Sequence, residues 1–358
     1  ARNKNPLSNI VTDWIKAFLV LLLLPPILVS AHHGRGEFFR GQMHEIEGEV
    51  AAVLWRNPHV MVTVQSEGPD GTEVLWQLEG SDAGTLARRG LTDEHIKVGD
   101  LVRAVGRKSD RRAHWLATAH ILLPNGTEMI FGRDEPRWSG DYIGGDQGAE
   151  TMPIQDSVEP GGIFRVWIRD TGGTPYDVLE SPPLTPEALS AYESYDPLRD
   201  DPVLDCVIPG MPRVMTVVGS RPIEFRRQGD DILLHSENFN LTRIIHMTRE
   251  GNASEESVSP LGYSQGRWDG NTLTVKTTRV SWHLFDLPPL IGIPQSQDIE
   301  IIERFVLNED EDKLVYDFWA NDPVNFTAPI EKENFMTWGW QSGEALRTDN
   351  CIDYVDVP

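Results

Sequence analysis

The residue types and spacing that most directly suggest chemistry are two adjacent histidines, His32 and His33, directly after an apolar stretch of the chain. If the chain were cut after Ala31, the new amine and the imidazole of His32 would form an N-terminal chelate for Cu(II). Three later histidines are candidates for completing a tetragonal nitrogen set: His44, His59 and His114. The sequence therefore raises copper binding through His32, His33 and His59. If the chain stays uncut, the amine is blocked and we expect no cofactor.

Other chemistry has weaker signals. The sequence lacks four common catalytic or nucleotide-binding motifs: the serine nucleophile elbow, HExxH, the P-loop and the Rossmann glycine pattern. His59 follows a strand break and has a simpler role in hydrogen bonding across a β-bulge. His235, His246 and His283 lie on different predicted strands, so convergence inside a barrel is open. The acidic run at residues 308–312 lacks the ligand spacing of an EF-hand, which favours a solvated hairpin tip over a calcium site.

The apolar stretch before the histidines, residues 17–31, carries no charge. Its length lies between a signal-peptide core and a bilayer span of about 17–25 residues. Val29-Ser30-Ala31 has the small residues that a signal peptidase cleaves after. A start at Ala1, as after removal of an initiator Met, instead favours retention of the apolar stretch in the mature protein. We expect retention, although Pro25-Pro26 would kink the helix.

A retained stretch extends to residues 14–31 and is a single-pass signal-anchor in contact with the lipid bilayer. The residues expected to form it include Trp14, Lys16, Leu21, Leu24 and Ile27. The positive-inside rule then keeps Arg2, Lys4 and Lys16 in the cytoplasm. This predicts a bacterial inner-membrane protein with its N-terminus in the cytoplasm and the bulk of the chain in the periplasm.

Composition limits the remaining classes. The formal charge of −23 repels phosphate backbones and argues against nucleic acid as a partner. The chain has two cysteines, Cys206 and Cys351, without a CxxC motif. In an oxidising compartment we expect them to form a disulfide, and the alternative is two buried thiols.

The pattern from Glu45 to about Met129 predicts three strands, a short helix through residues 83–89, and two more strands. That order is typical of an OB-type barrel, a closed five-stranded sheet with a helix between strands three and four. We assign this domain to residues 32–132.

The motifs of this region resemble an uncharacterised bacterial extracytoplasmic domain family over residues about 31–132. They are His32-His33-Gly34, Gly48-Glu49-Val50, Trp55-Arg56-Asn57-Pro58-His59, Arg88-Arg89-Gly90-Leu91-Thr92 and Val98-Gly99-Asp100 with Gly106. Members usually open with Ala-His-His-Ser, and Gly34 replaces that serine here. The resemblance implies an extracytoplasmic location and a fold, without an activity.

Residues 133–200 are rich in Gly, Pro and acidic side chains and are predicted to be a linker, with one strand near 163–168. Residues 201–358 follow as six to eight long strands. They predict an antiparallel up-and-down barrel, reminiscent of lipocalins, or a strongly curved sheet. The segment 206–213, the turn around Asp269-Gly270-Asn271 and Glu303-Arg304-Phe305 resemble a second uncharacterised module of secreted bacterial proteins. The predicted fold class is therefore mainly β.

These features favour a non-enzymatic function. We expect a membrane-anchored periplasmic subunit that contacts other subunits of a membrane protein complex, such as an electron-transfer or photosynthetic assembly. The first alternative is a periplasmic protein that binds a small ligand or copper. The second is a hydrolase, for which carboxylates such as Glu300 and Glu303 would need to be paired in a cleft.

Overall fold

The computed structural model describes residues 38, 41–57, 59–68, 70–132, 134–145, 161–170, 182–205, 207–216, 221–247, 256–287, 290–341 and 343–349. These residues all belong to one compact unit, which begins after residue 32. Among them, no helix is long and apolar enough to cross a membrane. The predicted anchor at residues 14–31 lies outside this part of the chain.

The first five strands and one short helix form a small barrel: β1 (Met43–Leu54), β2 (Met61–Glu67), β3 (Glu73–Glu79), α1 (Ala83–Arg88), β4 (Leu101–Lys108) and β5 (Trp115–Leu122). Antiparallel pairs join β1 to β2 and β4, β2 to β3, and β4 to β5. Parallel pairing of β3 with β5 closes the ring. The predicted five-stranded barrel, with a helix between its third and fourth strands, is confirmed.

The core of the small barrel follows from strand alternation and helix capping. Trp76 and Leu78 are buried on β3, and they alternate with more exposed neighbours. Leu86 of α1 is fully buried in the same core. Asp82 begins the helix by accepting a hydrogen bond from the Thr85 amide at 2.8 Å.

Two glycines allow the small barrel to close. A Cβ at Gly48 on β1 would lie 2.1 Å from the carbonyl oxygen of Gln65 on β2. A Cβ at Gly106 on β4 would lie 2.2 Å from the carbonyl oxygen of Ala117 on β5. A larger residue at either position would push paired strands apart.

Two short strands, β6 (Glu128–Ile130) and β7 (Tyr142–Gly144), extend the sheet beyond β5. A nine-stranded closed barrel follows: β8 (Val166–Asp170), β9 (Ile223–Gln228), β10 (Asp231–Ser236), β11 (Leu241–His246), β12 (Tyr263–Asp269), β13 (Thr272–Thr278), β16 (Glu300–Leu307), β17 (Lys313–Asn321) and β18 (Ile330–Trp340). Around the ring, the order of the strands is β10, β11, β12, β13, β16, β17, β18, β8 and β9. Pairing of β9 with β10 closes the barrel. The strand predicted near 163–168, a strand expected to belong to the second domain, corresponds to β8, and β8 pairs with both β18 and β9.

The large barrel departs from the predicted up-and-down arrangement at two places. Strands β11 and β12 are parallel neighbours. A separate hairpin, β14 (Leu284–Leu287) and β15 (Leu290–Pro294), interrupts the path from β13 to β16. A period of two determines which side chains face inward, but it does not determine which strands become neighbours.

Side chains fill the large barrel. On β17 every second residue from Leu314 to Ala320 is buried. Trp167, Phe225 and Phe305 are among the largest fully buried side chains. Three short elements precede β9 in the chain: helix α2 (Pro186–Ser194), a 3-10 turn (Pro202–Asp205) and helix α3 (Arg213–Thr216). A second 3-10 turn, Asn238–Asn240, precedes β11.

Candidate functional site

The predicted copper ligands do not form a described site. His32 and His33 lie outside the described residues, as do Cys206, Cys351, Trp14, Lys16, Leu21, Leu24 and Ile27. His59 Nδ1 lies 3.2 Å from the Gly80 carbonyl oxygen, so its N–H donates to the backbone. In the ranges that the structure describes, no group of three or more His, Cys, Asp or Glu side chains could hold a metal ion.

Two other histidines do come together at one mouth of the small barrel, where β1 begins and β4 ends. The His44 ring stacks on Trp76 with a centroid separation of 4.7 Å, and His114 meets the same indole edge-on at 5.0 Å. The Lys108 ammonium lies 5.7 Å from that ring. Burial lowers the pKa of His44, and the charges of Lys108 and His114 lower this pKa further. Both effects favour the uncharged form of the His44 imidazole.

The histidines of the large barrel do not converge. His235 Nδ1 lies 2.9 Å from the hydroxyl of Thr242 on the adjacent strand. His246 Nδ1 lies 3.0 Å from the Asp231 carboxylate, and His283 is exposed just before β14. The sequence left convergence of these histidines open, and the structure does not bring them together, because His235 alternates with the inward residues Leu234 and Ser236.

The barrel interior instead contains a buried ion pair. Arg243 on β11 donates to both oxygens of Glu303 on β16, and the Nη1 contact is 3.1 Å long. Arg243 also donates to the hydroxyls of Ser264 and Thr277, at 2.9 and 2.7 Å. The Tyr316 hydroxyl donates to Glu303 at 2.9 Å. Each charge is thus compensated inside an apolar barrel, as a buried pair requires.

The most extensive polar site joins the two barrels, and we call it the inter-barrel cluster. It contains Asn57, Asp82 and Arg88 of the small barrel, Arg221, Glu237 and Asn240 of the large barrel, and the C-terminal segment 343–349. The C-terminal segment contacts side chains of both barrels.

Arg88, the last residue of α1, forms one half of the cluster. Its guanidinium donates to both oxygens of Glu237, with 2.8 Å for the Nη1 contact. It also contacts Glu344 at 3.4 Å and donates to the Ala345 carbonyl oxygen at 3.2 Å. Burial lowers the pKa of Arg88, but the hydrogen bond and charge of Glu237, together with Glu344, outweigh burial and raise it.

Asp349 forms the other half. Its buried carboxylate pairs with Arg221 and accepts from the Asn57 amide. It also accepts from the Phe239 backbone N–H at 2.6 Å. The backbone of Asp349 exchanges two hydrogen bonds with the side chain of Asn240, at 2.8 and 2.9 Å. Asn57 in turn accepts from the Ala83 amide at 2.9 Å, which connects the carboxylate to the start of α1.

The acidic run at residues 308–312 forms a hairpin turn with internal partners. The Glu311 carboxylate accepts from the Gly162 amide at 2.8 Å and contacts Arg165 at 3.3 Å. Asn308 accepts from the backbone amides of Asp312 and Lys313 at 3.0 and 2.8 Å. These oxygens are used to shape the turn.

Part of this arrangement had a signal in the sequence. Glu303 and Arg243 occupy inward positions in otherwise apolar alternations, Ile301 to Phe305 and Leu241 to Ile245, and a charge at such a position predicts a buried partner. The contact of Arg88 with Glu237 had no such signal, because 149 positions separate the two residues.

Comparison with known proteins shows that part of the chain is similar to a domain family. Residues 23–115 match the model of a family of unknown function, DUF6152. The match includes β1 to β4 and α1 but ends where β5, which closes the barrel, begins. No curated protein matches the chain. The comparison supports an uncharacterised family for the N-terminal region and brings no activity with it.

Proposed function

We propose that this chain is a non-enzymatic, membrane-anchored periplasmic subunit that holds together parts of a larger membrane protein complex. Such a complex would be, for example, an electron-transfer or photosynthetic assembly. Residues 14–31 would be the single-pass anchor in a bacterial inner membrane, with the N-terminus in the cytoplasm. The observation that carries this proposal is the inter-barrel cluster, which joins two filled β barrels into one body.

The cluster supports a scaffolding function because its contacts are buried and mutually dependent. The side chains of Arg88 and Glu237 are 10% and 3% exposed. Those of Arg221 and Asp349 are 8% and 1% exposed. Breaking one partner of such a pair leaves a buried charge without compensation. Two bodies joined in this way keep a fixed relative orientation, which a subunit that bridges other proteins requires.

The interiors of both barrels are filled by side chains, which favours binding of partners at the outer surfaces. Aromatic and aliphatic side chains of the described strands fill the large barrel, and the small barrel has its own packed core. A carrier of a small apolar molecule would need an interior cavity that these side chains occupy. Exposed apolar side chains instead lie on the outside of both barrels, including Leu101 at 68% and Val324 at 55%.

Two strongly perturbed acidic groups, Asp286 and Tyr316, have structural partners. Burial raises the pKa of Asp286, while the charge of Arg213 and the Gly292 amide oppose this shift. Arg213 donates to Asp286 at 2.9 Å, and the Gly292 amide donates at 2.6 Å. Burial likewise raises the pKa of Tyr316, which donates to Glu303. These assignments weaken the hydrolase alternative, since a raised pKa here has a structural explanation.

The experiment is purification of the tagged chain from native membranes in mild detergent, followed by cross-linking and mass spectrometry. We expect stoichiometric membrane-protein partners that cross-link to both barrels. The double variant Arg88→Gln/Asp349→Asn should lose the cross-links of one barrel. The matched variant Arg199→Gln, which removes an exposed pair with Asp200, should retain both sets. Recovery of a monomer without partners would contradict the proposal.

Copper binding remains the second candidate because His44 and His114 meet at Trp76. Imidazole nitrogens are good ligands for copper, but two of them make an incomplete set. Metal analysis of the protein from its native host, with the variant His44→Ala/His114→Ala, tests this function. Copper that is bound stoichiometrically and lost in the variant would favour the carrier over the scaffold.

A further inference from the structure

The mouth of the small barrel where β1 begins has an amphipathic rim, formed by Met43, Leu75, Arg107, Lys108 and His114. Met43 and Leu75 are 47% and 55% exposed, and the other three residues are also exposed. Met43 pairs with Arg107 across β1 and β4. The His114 carbonyl oxygen accepts from the Gln77 amide at 2.9 Å, which places this loop beside β3. The five residues therefore belong to one edge of the barrel.

The charge of the rim differs from that of the chain. The protein carries a formal charge of −23, yet the five rim residues include two cations and no carboxylate. Asp110 is the acidic residue in the adjoining loop, and the neighbouring Arg111 is paired with Asp196 at 2.9 Å. Charges further away than about 8 Å are screened at physiological ionic strength. On β3, the exposed Glu73 lies two positions from Leu75 and opposite Glu67. The positive charge of the rim is therefore concentrated at its Arg107 and Lys108 end.

Aromatic and apolar groups support the cations. Lys108 lies over the Trp76 ring, and Trp76 is covered by His44 and His114. Trp76 is itself buried, so the surface that the rim offers consists of long basic side chains beside the exposed Met43 and Leu75. That combination is found where proteins contact the headgroup region of a bilayer. Phe38 lies at the same mouth, 5.6 Å from the Arg112 guanidinium.

From these observations we infer that the rim is a docking surface for anionic phospholipid headgroups. The inference rests on the proposed function for its tether. Seven positions separate Ala31, the end of the proposed anchor, from Phe38, and an extended chain of that length spans at most about 25 Å. The bilayer surface is then within reach of the mouth. A tether raises the effective concentration of the lipid, so that a weak local attraction is sufficient.

The test uses the full chain in vesicles of phosphatidylcholine alone or mixed with phosphatidylglycerol, with hydrogen exchange measured at residues 73–77 and 105–116. We expect exchange to slow in the mixed vesicles only. The variant Arg107→Gln/Lys108→Gln should weaken this contact by about tenfold or more, since each basic residue near an anionic surface contributes about fivefold. The matched variant Lys276→Gln/Lys313→Gln on the large barrel should leave it unchanged.

An alkaline wash of the same vesicles tests the anchor separately. Protein that resists the wash but shows equal exchange in both lipid mixtures overturns the rim and leaves the anchor intact. Protein that washes off but is still protected by phosphatidylglycerol supports the rim without the anchor. Protection in native membranes that is missing from both vesicle types would assign the rim to a protein partner and overturn the lipid proposal.

Discussion

Glu128 in the small barrel illustrates how one buried carboxylate orders a loop. Its two oxygens accept the backbone N–H groups of Arg137, Trp138 and Ser139, at 2.8, 2.7 and 2.8 Å. His120 Nδ1 lies 2.7 Å from the same carboxylate. Burial raises the pKa of Glu128, but the hydrogen bonds together outweigh burial, and this pKa lies below its ordinary value.

This pKa gives a pH dependence with a defined sign. Because the folded pKa is depressed, the stabilisation is complete above the ordinary glutamate value of 4.5 and is lost as pH falls through the folded pKa. At neutral pH, Glu128→Gln should lower the free energy of unfolding by about 1–3 kcal/mol. Urea unfolding at neutral and acidic pH should show this difference shrinking below pH 4.5. The control Glu135→Gln, at an exposed position, should parallel wild type. If the difference in unfolding free energy between wild type and Glu128→Gln did not change with pH, the Glu128 carboxylate would not have the proposed stabilising role.

At the scale of elements, the strands of the large barrel combine regular alternation with one polar exception. Arg243 and Glu303 are inward residues of β11 and β16, strands that do not pair directly. Strands β12 and β13 lie between them and supply the hydroxyls of Ser264 and Thr277. Tyr316 on β17 also donates to Glu303, so one polar network connects five consecutive strands of the barrel, β11, β12, β13, β16 and β17.

The ion pair should depend on both of its members. Glu303→Leu leaves the Arg243 guanidinium buried without a countercharge and should destabilise the protein by about 3–5 kcal/mol. The double variant Arg243→Met/Glu303→Leu removes both charges and should recover part of this loss. Denaturant unfolding of the two single variants and the double variant forms a thermodynamic cycle. Additive losses would show that the pair is not coupled.

At the scale of the whole molecule, the C-terminal segment 343–349 determines how the barrels cooperate. Glu344 contacts Arg88 of the small barrel, while Asp349 contacts Asn57 on one side and Arg221 on the other. A segment that is held by both barrels transmits unfolding from one to the other. We therefore expect the intact chain to unfold cooperatively, although it contains two separate cores.

Ending the chain after Gln341 should uncouple the barrels. The truncated protein loses Asp349, the carboxylate bonded to Arg221, and the contacts of Arg88 with Glu344 and Ala345, so the calorimetric profile should change from one transition to two. The full-length variant Asp349→Asn should broaden the transition, whereas Asp298→Asn at an exposed position should not. One sharp transition in the truncated chain would contradict a coupling role for the segment.

Much of the fold follows from local patterns in the sequence. The order of three strands, a helix and two strands predicted the small barrel, because strand alternation and the Asp82 cap are local properties. Gly48 and Gly106 were part of a recognisable motif, and the structure gives their reason in the close approach of paired strands. The β character of the second half was also predicted, since its alternation is long and regular.

Only the tertiary structure decided how these pieces are joined. The parallel neighbours β11 and β12, the closure of the large barrel by β8, and the pairing of Arg88 with Glu237 all depend on contacts between distant residues. The meeting of His44 and His114 at Trp76 is of the same kind. A sequence determines periodicity and capping through neighbours along the chain, whereas charge pairing across 149 positions depends on which surfaces the two cores bring together.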